Sequence, residues 1–339
     1  MLIFSLESSC DETSICIMNS DGSVLSHKIA SQEIHTKFGG VVPELASRSH
    51  LTNIQTLYKE CLKESSINPK NIDVFCATAG PGLIGSLLVG SIFTKSLSLG
   101  FNKPFYAINH LEGHLLSPTI NNIINYPYLC FLLTGGHTQI YLVNKVNEYI
   151  LLGETIDDAM GEAFDKVAKL LNLSYPGGPA IEKSAKKGIV DSVQLPHPLK
   201  NKKTLDFSFS GIKTSVNLFV QKNKINENLI NNVSASFQHK ILEILIHKFD
   251  LTLKKLNKEK INIKQLALVG GVSINKYLIS GLKEICDIKR IEIITPPKKM
   301  FGDNAAMIGW ACIQKMKKTN FKNNIYFKEN PRLQINEQK

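Results

Sequence analysis

Two stretches of this chain share one plan, and that repetition constrains its fold more than any other feature. In the first, IFSLESS (3–9) and SICIM (14–18) flank the polar turn Cys10-Asp11-Glu12-Thr13. In the second, YLCFLL (128–133) and TQIYLV (138–143) flank Thr134-Gly135-Gly136-His137. An apolar strand, a tight polar turn and another apolar strand predict a hairpin. The same unit met twice predicts two similar lobes facing each other, with two phosphate-sized turns at one cleft.

The intervening sequence reads as alternating strands and helices. Apolar residues at helical spacing (Leu51, Ile54, Leu57, Cys61) predict a helix over 43–62, and IDVFCATA (72–79) reads as a buried strand. A helix over 80–100 opens with Gly80 and Pro81. Further helices are predicted over about 159–171, 179–187, 207–221 and 229–256. QLALVGG (265–271), a helix from Ser273, a strand at 291–295 and a last helix after Asp303 restore the α/β pattern. The tail from Lys317 is basic and asparagine-rich, with no packing signal.

With 339 residues, 43% of them hydrophobic and 20% charged, the chain can fill a core without a disulfide or metal staple. The cysteines at 10, 16, 61, 76, 130, 286 and 312 are scattered and lack a CxxC pair, so small core residues are expected rather than a disulfide framework. MLIFSLESSC has no basic start and does not read as a signal peptide. Leu83 to Phe93, broken by Gly85, Ser86, Gly90 and Ser91, is too short to span a bilayer. A cytoplasmic location, with no membrane partner, is the expectation. The net charge of +11 favours a nucleic-acid partner. Arginine occurs only at 48, 290 and 332, however, and its guanidinium fork is the better reader of bases and phosphates.

INHLEGHLL places His110 and His114 four residues apart. On a helix that spacing puts both on one face, where they can grip one metal, although such a pair is more often structural. In the HExxH pattern of metalloproteases the glutamate adjoins the first histidine. Glu112 instead sits two residues from each histidine, near the opposite helix face, which rules out that role. Asp303 is either an ordinary helix N-cap or an oxygen ligand to the same metal. Gly135-Gly136 and Gly270-Gly271 bring backbone amides where a phosphate can approach, and either pair is equally a plain turn. Asp11 and Glu12 are either a solvated hairpin tip or, with Glu7 and Thr13-Ser14, a polar cluster within apolar strands.

Together these segments resemble the tRNA N6-adenosine threonylcarbamoyltransferase family, the bacterial TsaD or Gcp proteins. The family signature runs from Lys95 to Leu115, KSLSLGFNKPFYAINHLEGHL, with both histidines in place. The likeness continues in order through ESSCDETS (7–14), ATAGPGLIGSLLVG (77–90), LLTGGHTQ (132–139) and DDAMGEAFDKVAKLL (157–171). YPGGP (175–179), FSFSGIKTSV (207–216), SASFQ (234–238), GGVSIN (270–275) and GDNAAMIG (302–309) complete it. Thr134 stands where a serine is common, and the tail matches only loosely.

The resemblance implies a two-lobed α/β fold of the ASKHA (actin-like ATPase) type, with a nucleotide cleft between the lobes. The N-terminal lobe is expected over 1–108, with the helix at about 303–316 returning to it. The C-terminal lobe, with a helical insertion, is expected over 109–302, and a basic tail over 317–339. The resemblance further implies that His110, His114 and Asp303 hold one divalent metal ion, Fe(2+) in the usual assignment, with Zn(2+) or Mg(2+) as alternatives. Adenylate and substrate contacts map to Leu133, Thr134, Gly135, Gly136, His137, Asp165, Gly178, Glu182 and Asn275. The implied substrates are threonylcarbamoyl-adenylate and tRNA. A paralogous ASKHA subunit (TsaB-like) and a P-loop ATPase (TsaE-like) are the implied protein partners. An aromatic amine is a weak nucleophile, so Asp11 or Glu12 is our reading of the base that takes its proton. Two rivals share the fold: a scaffolding paralogue without the metal histidines, and an ATP-driven kinase or chaperone.

Overall fold

β1 (Leu2–Glu7) and β2 (Glu12–Asn19) pair antiparallel, with Glu7 opposite Ser14 across the turn. Both strands are buried almost throughout, which is why each reads as a continuous apolar run. β3 (Val24–Ser31) adds antiparallel to β2 as a half-exposed edge. Its mixed composition hid it from the sequence reading. α1 (Pro43–Ser65) starts with Pro43 in its first turn and buries Ala46, His50, Ile54, Leu57 and Cys61. Leu51, expected on that buried face, is exposed instead. β4 (Val74–Gly80), α2 (Ile84–Gly100) and β5 (Phe105–Asn109) extend the sheet in parallel, and α3 (His110–Leu116) follows β5 without a break. Phe4, Ile15, Ile54, Phe75 and Phe105 are among the core residues of this unit. The structure, a computed structural model, describes residues 1–38, 40–120 and 122–336. The end of the expected tail, 337–339, lies outside the described residues.

The second unit repeats the plan. β6 (Tyr128–Leu133) and β7 (Thr138–Lys145) form the second hairpin, closed by the Leu133–Thr138 pair. β8 (Glu148–Glu154) is its half-exposed edge. The helices α4 (Met160–Leu170), α5 (Gly177–Ala185), α6 (Ser210–Lys222) and α7 (Glu227–Lys258) follow. β9 (Gln265–Val269), α8 (Lys276–Lys289) and β10 (Glu292–Ile294) come next, with both strands parallel to β6. The sheet orders are β3-β2-β1-β4-β5 and β8-β7-β6-β9-β10, so the two sheets match strand for strand. Phe131, Phe164, Phe207, Phe209, Phe237 and Phe249 are fully buried in the second unit's core.

α9 (Ala305–Lys318) belongs to the first unit, which comprises 1–123, 145–149 and 296–339. The second comprises 124–144 and 150–295. All seven cysteines are free, and all but Cys10 are buried. Among the described residues no helix is long and apolar enough to cross a membrane. The tail, whose sequence carries no packing signal, does pack: Leu333 and Ile335 are buried.

Candidate active site

The first unit gathers three metal-type ligands. Asn109 ends β5 and caps α3, its Oδ1 accepting the amides of Leu111 (2.9 Å) and Glu112 (3.3 Å). The helix therefore begins at His110, and His114 follows one turn later on the same face. Their rings lie 4.9 Å apart, nearly perpendicular at 87°. The third group comes from just before α9. Asn304, not Asp303, caps that helix by accepting the Met307 amide, so the N-cap reading of Asp303 fails. Asp303 Oδ1 lies 3.0 Å from His114 Nε2 and 3.5 Å from His110 Nε2. One ligand atom from each residue falls within 4.8 Å of the others.

A second layer orients the first. Glu7 Oε2 sits 3.0 Å from His110 Nδ1 and accepts the Thr78 hydroxyl, while its Oε1 accepts the Ser9 amide at 2.5 Å. A carboxylate on Nδ1 fixes the ring and leaves Nε2 to face Asp303. Burial opposes charge on His110, yet Asp303 and Glu7 hold its pKa well above the ordinary 6.5. Burial likewise opposes ionisation of Glu7 and Asp303, and His110 overrides it to lower both. Burial holds His114 below its ordinary value, and its Nδ1 is buried with no hydrogen-bond partner among the described residues. Two imidazoles and one carboxylate suit a borderline transition metal such as Fe(2+) or Zn(2+) and suit Mg(2+) poorly, because that ion favours oxygen ligands.

Glu112 is turned to other work. Its Oε2 lies 2.8 Å from Lys315 Nζ and its Oε1 accepts the Tyr149 hydroxyl at 2.7 Å. It cannot also activate a metal-bound water, which agrees with the rejection of the protease reading. Asp11 and Glu12 are half-buried rather than an open hairpin tip. Burial, then Asp303, Asp11 and Glu7, push the Glu12 carboxyl well above its ordinary range.

The second unit carries the remaining candidates. Thr134 ties the hairpin turn at both ends: its amide donates to His137 O (2.8 Å) and its Oγ1 accepts the His137 amide (2.9 Å). Gly135 and Gly136 are exposed, with open space where a Cβ would stand. Gly161 at the start of α4 packs so closely that a Cβ there would lie 2.8 Å from the Gly135 Cα. Leu133 is a core residue, which leaves only its backbone for a ligand. Asp165 Oδ1 accepts the Gly177 amide at 2.7 Å and joins α4 to α5, where Gly178 is half-buried. Glu182 Oε1 accepts the Lys276 amide at 3.2 Å. Asn275 caps α8 and donates from Nδ2 to Gln238 Oε1 at 2.9 Å. Glu182 and Gln238 line a cavity of about 430 Å³ with Lys276 and Tyr277. Glu182 thus lines that cavity and Asn275 is tied to it only through Gln238, whereas Asp165 and Gly178 sit at the α4–α5 junction.

The sequence reading assigned no role to Ser9, Thr78, Gln238 or Tyr277. Glu7 did leave a signal, as a carboxylate inside an apolar strand.

Two units built on matching five-stranded sheets define the fold class of actin, the sugar kinases and the heat-shock ATPases. HypF in a phosphate- and nucleotide-bound form matches over 94% of this chain and 56% of its own, with a TM-score of 0.59 and 14% identity. The activator of 2-hydroxyisocaproyl-CoA dehydratase from Clostridium difficile matches over 94% and 96%, with a TM-score of 0.53 and 13% identity. At such identities the likeness is one of fold alone. Residues 23–310 match the family model of TsaD, tRNA N6-adenosine threonylcarbamoyltransferase. Relatives of that name include those of Rickettsia massiliae, 46% identical over 92% of both chains, and Wolbachia pipientis, 42% identical over 98% of both. That of Zymomonas mobilis is 43% identical over 93% of this chain and 87% of its own. This chain belongs to the tRNA N6-adenosine threonylcarbamoyltransferase family.

Proposed function

We propose that this chain transfers the threonylcarbamoyl group of threonylcarbamoyl-adenylate to N6 of the adenosine following the anticodon, in tRNAs reading codons that begin with A. The observation that carries this reading is the complete His110–His114–Asp303 cluster, backed by Glu7, in a member of that family. A scaffolding paralogue would lack the histidines. The test supplies purified protein with unmodified tRNA and the adenylate and measures modified nucleoside, with ATP-dependent phosphorylation or peptide release assayed in parallel. Activity in the parallel assays alone would return the chain to the kinase or chaperone class.

His110, His114 and Asp303 would hold one divalent ion, a borderline transition metal by donor set and Fe(2+) by family, whose chemistry when bound is Lewis-acid polarisation of the anhydride carbonyl. The amides of Gly135 and Gly136 receive the adenylate phosphate, the leaving group of the reaction. Asp165, Gly178, Glu182 and Asn275 hold the nucleoside. Asp11 or Glu12 takes the proton of the attacking amine, and Glu12 does so only when nearby positive charge offsets its burial and the neighbouring Asp303 and Asp11. We take the two units as the two lobes of the fold and the cytoplasm as the location.

Two expected results follow from these roles. Asp11→Asn or Glu12→Gln keeps size and most hydrogen bonding but removes basicity, so one of them should cut single-turnover transfer by roughly 10²-fold. Binding of the adenylate should be unchanged or tighter. Near-wild-type transfer in both variants would remove these acids from the mechanism. Binding of tRNA should rest on lysine–phosphate attraction and weaken steeply with salt, leaving discrimination to loop shape, stacking or partner subunits. An affinity flat between low and physiological salt would contradict that.

A partner subunit is supported by α2, which exposes Ile84, Leu88, Ile92 and Leu99 along one side. We assign that stripe to the paralogous subunit. A P-loop ATPase is the second partner the family implies. Ile92→Asp should abolish co-purification with the paralogue, and undiminished association would place it elsewhere.

A further inference from the structure

The segment after α9 is the part of the chain for which neither its sequence nor the family model, which ends at residue 310, provides a role. We infer that residues 319–336 form a strap that positions the metal-binding helix, acting through Asn109 and the Ala79–Gly82 turn. The inference rests on the metal reading of His110, His114 and Asp303.

The strap first covers an open edge. β5 is the last strand of its sheet, and its outward amides would otherwise lack partners. Asparagine side chains supply them: Asn323 Oδ1 accepts the Phe105 amide (3.2 Å) and Asn324 Oδ1 accepts that of Ala107 (2.7 Å). The Asn324 amide donates to Phe105 O at 3.1 Å. The asparagine content, which gives no packing signal in the sequence, therefore satisfies a strand. Next comes an anchor on α2. Glu329 pairs with Lys95 at 2.7 Å and accepts the Ser91 hydroxyl, and Lys95 also donates to Phe327 O at 2.7 Å.

The strap then reaches the site. The Asn330 amide donates to Ala79 O (2.9 Å) and the Gly82 amide to Pro331 O (3.2 Å). Gly80, at φ +145°, has no room for a Cβ, which would stand 2.0 Å from Asn330 O. This turn immediately follows Thr78, which holds Glu7, which in turn holds His110. A second line is more direct. Leu333 O accepts Asn109 Nδ2 at 3.3 Å, while Oδ1 of the same amide caps α3. Asn109 is fully buried, so its one side chain links the strap to the helix that begins with a ligand. Finally, Asn336 Nδ2 donates to Tyr149 O at 3.1 Å, and the Tyr149 hydroxyl reaches Glu112 on α3. Three separate contacts of the strap thus converge on α3 or on the carboxylate behind His110.

Outer-shell groups of this kind tune metal affinity by about 10–100-fold. The probe is Co(2+) titrated into metal-free full-length protein, followed by its d–d absorption. Asn109→Ser is the discriminating variant: a serine still caps α3 but cannot reach Leu333 O. It should retain wild-type circular dichroism, bind Co(2+) about 10–100-fold more weakly and show a shifted spectrum. A chain ending at Lys318 should show the same weakening, restored by a peptide of residues 319–336. If that chain does not fold, Asn109→Ser decides alone. Wild-type affinity and spectrum in Asn109→Ser would overturn the strap's role. Failure of the wild-type chain itself to bind Co(2+) would instead overturn the metal reading beneath it.

Discussion

Replacing His110 with alanine is expected to empty the metal site and abolish transfer while both units stay folded. His110 is one of the three residues we propose as ligands, and its Nε2 lies 3.5 Å from Asp303. Its loss leaves one imidazole and one carboxylate, too few to hold an ion against water. Elemental analysis should find metal in the wild type and none in the variant, and transfer should fall by about 10³-fold or more, the scale of losing stabilisation at a developing charge. Undiminished metal in the variant would show that the ligand assignment is wrong.

The same substitution has a pH signature in metal-free protein. His110 has a raised pKa, so its contribution to stability is complete below its ordinary 6.5 and fades as pH rises through its folded value. Glu7 and Asp303 have lowered pKa values, so theirs are complete above the ordinary 4.5 and 3.8 and fade as pH falls. The His110, Glu7 and Asp303 contributions in chelated wild-type protein should therefore be greatest together between about 4.5 and 6.5, offset in part there by His114, whose lowered pKa costs stability as pH falls below 6.5. His110→Ala should flatten that maximum in denaturation curves measured across pH.

Lys315→Met should destabilise the first unit by about 3–5 kcal/mol, the cost of leaving a buried charge without its partner. Glu112 is 0% exposed and Lys315 1%, and the pair ties α3 to α9, the elements that carry or adjoin His110, His114 and Asp303. Once the ammonium is gone, Glu112 keeps the hydrogen bond from the Tyr149 hydroxyl but no opposite charge among the described residues. The double variant Glu112→Leu, Lys315→Met removes both charges and should recover most of the loss, because buried ion pairs and well-packed apolar residues are often of similar stability. Urea unfolding of the single and double variants measures both quantities. A Lys315→Met protein as stable as wild type would mean that the pair is solvated and contributes nothing to holding the two helices.

Much of this architecture was legible from local pattern. The hairpins at 3–18 and 128–143 showed because central strands are buried on both faces and must be apolar throughout. β3 and β8, their edges, face water on one side, and their composition resembles loop. The histidine spacing at 110 and 114 was equally local, as was the misplacement of Glu112 for protease chemistry. Leu51 was misread because a helix with several apolar residues offers more than one plausible face, and only packing on a sheet chooses between them.

What the sequence determined by itself were properties carried by neighbours in the chain: strand and helix periodicity, the repeated unit, one face bearing two imidazoles and the ordered motifs of a family. The tertiary structure decided what depends on residues far apart. Asp303 meets His114 across 189 positions, and only the capping of α9 by Asn304 shows that its carboxylate is spared for that role. Glu7 meets His110 across 103 positions, and Lys315 meets Glu112 across 203. The tail showed no packing signal because its asparagines carry no periodicity. Their partners are the edge amides of β5, and a polar side chain that completes a strand's hydrogen bonds leaves no hydrophobic pattern in the sequence.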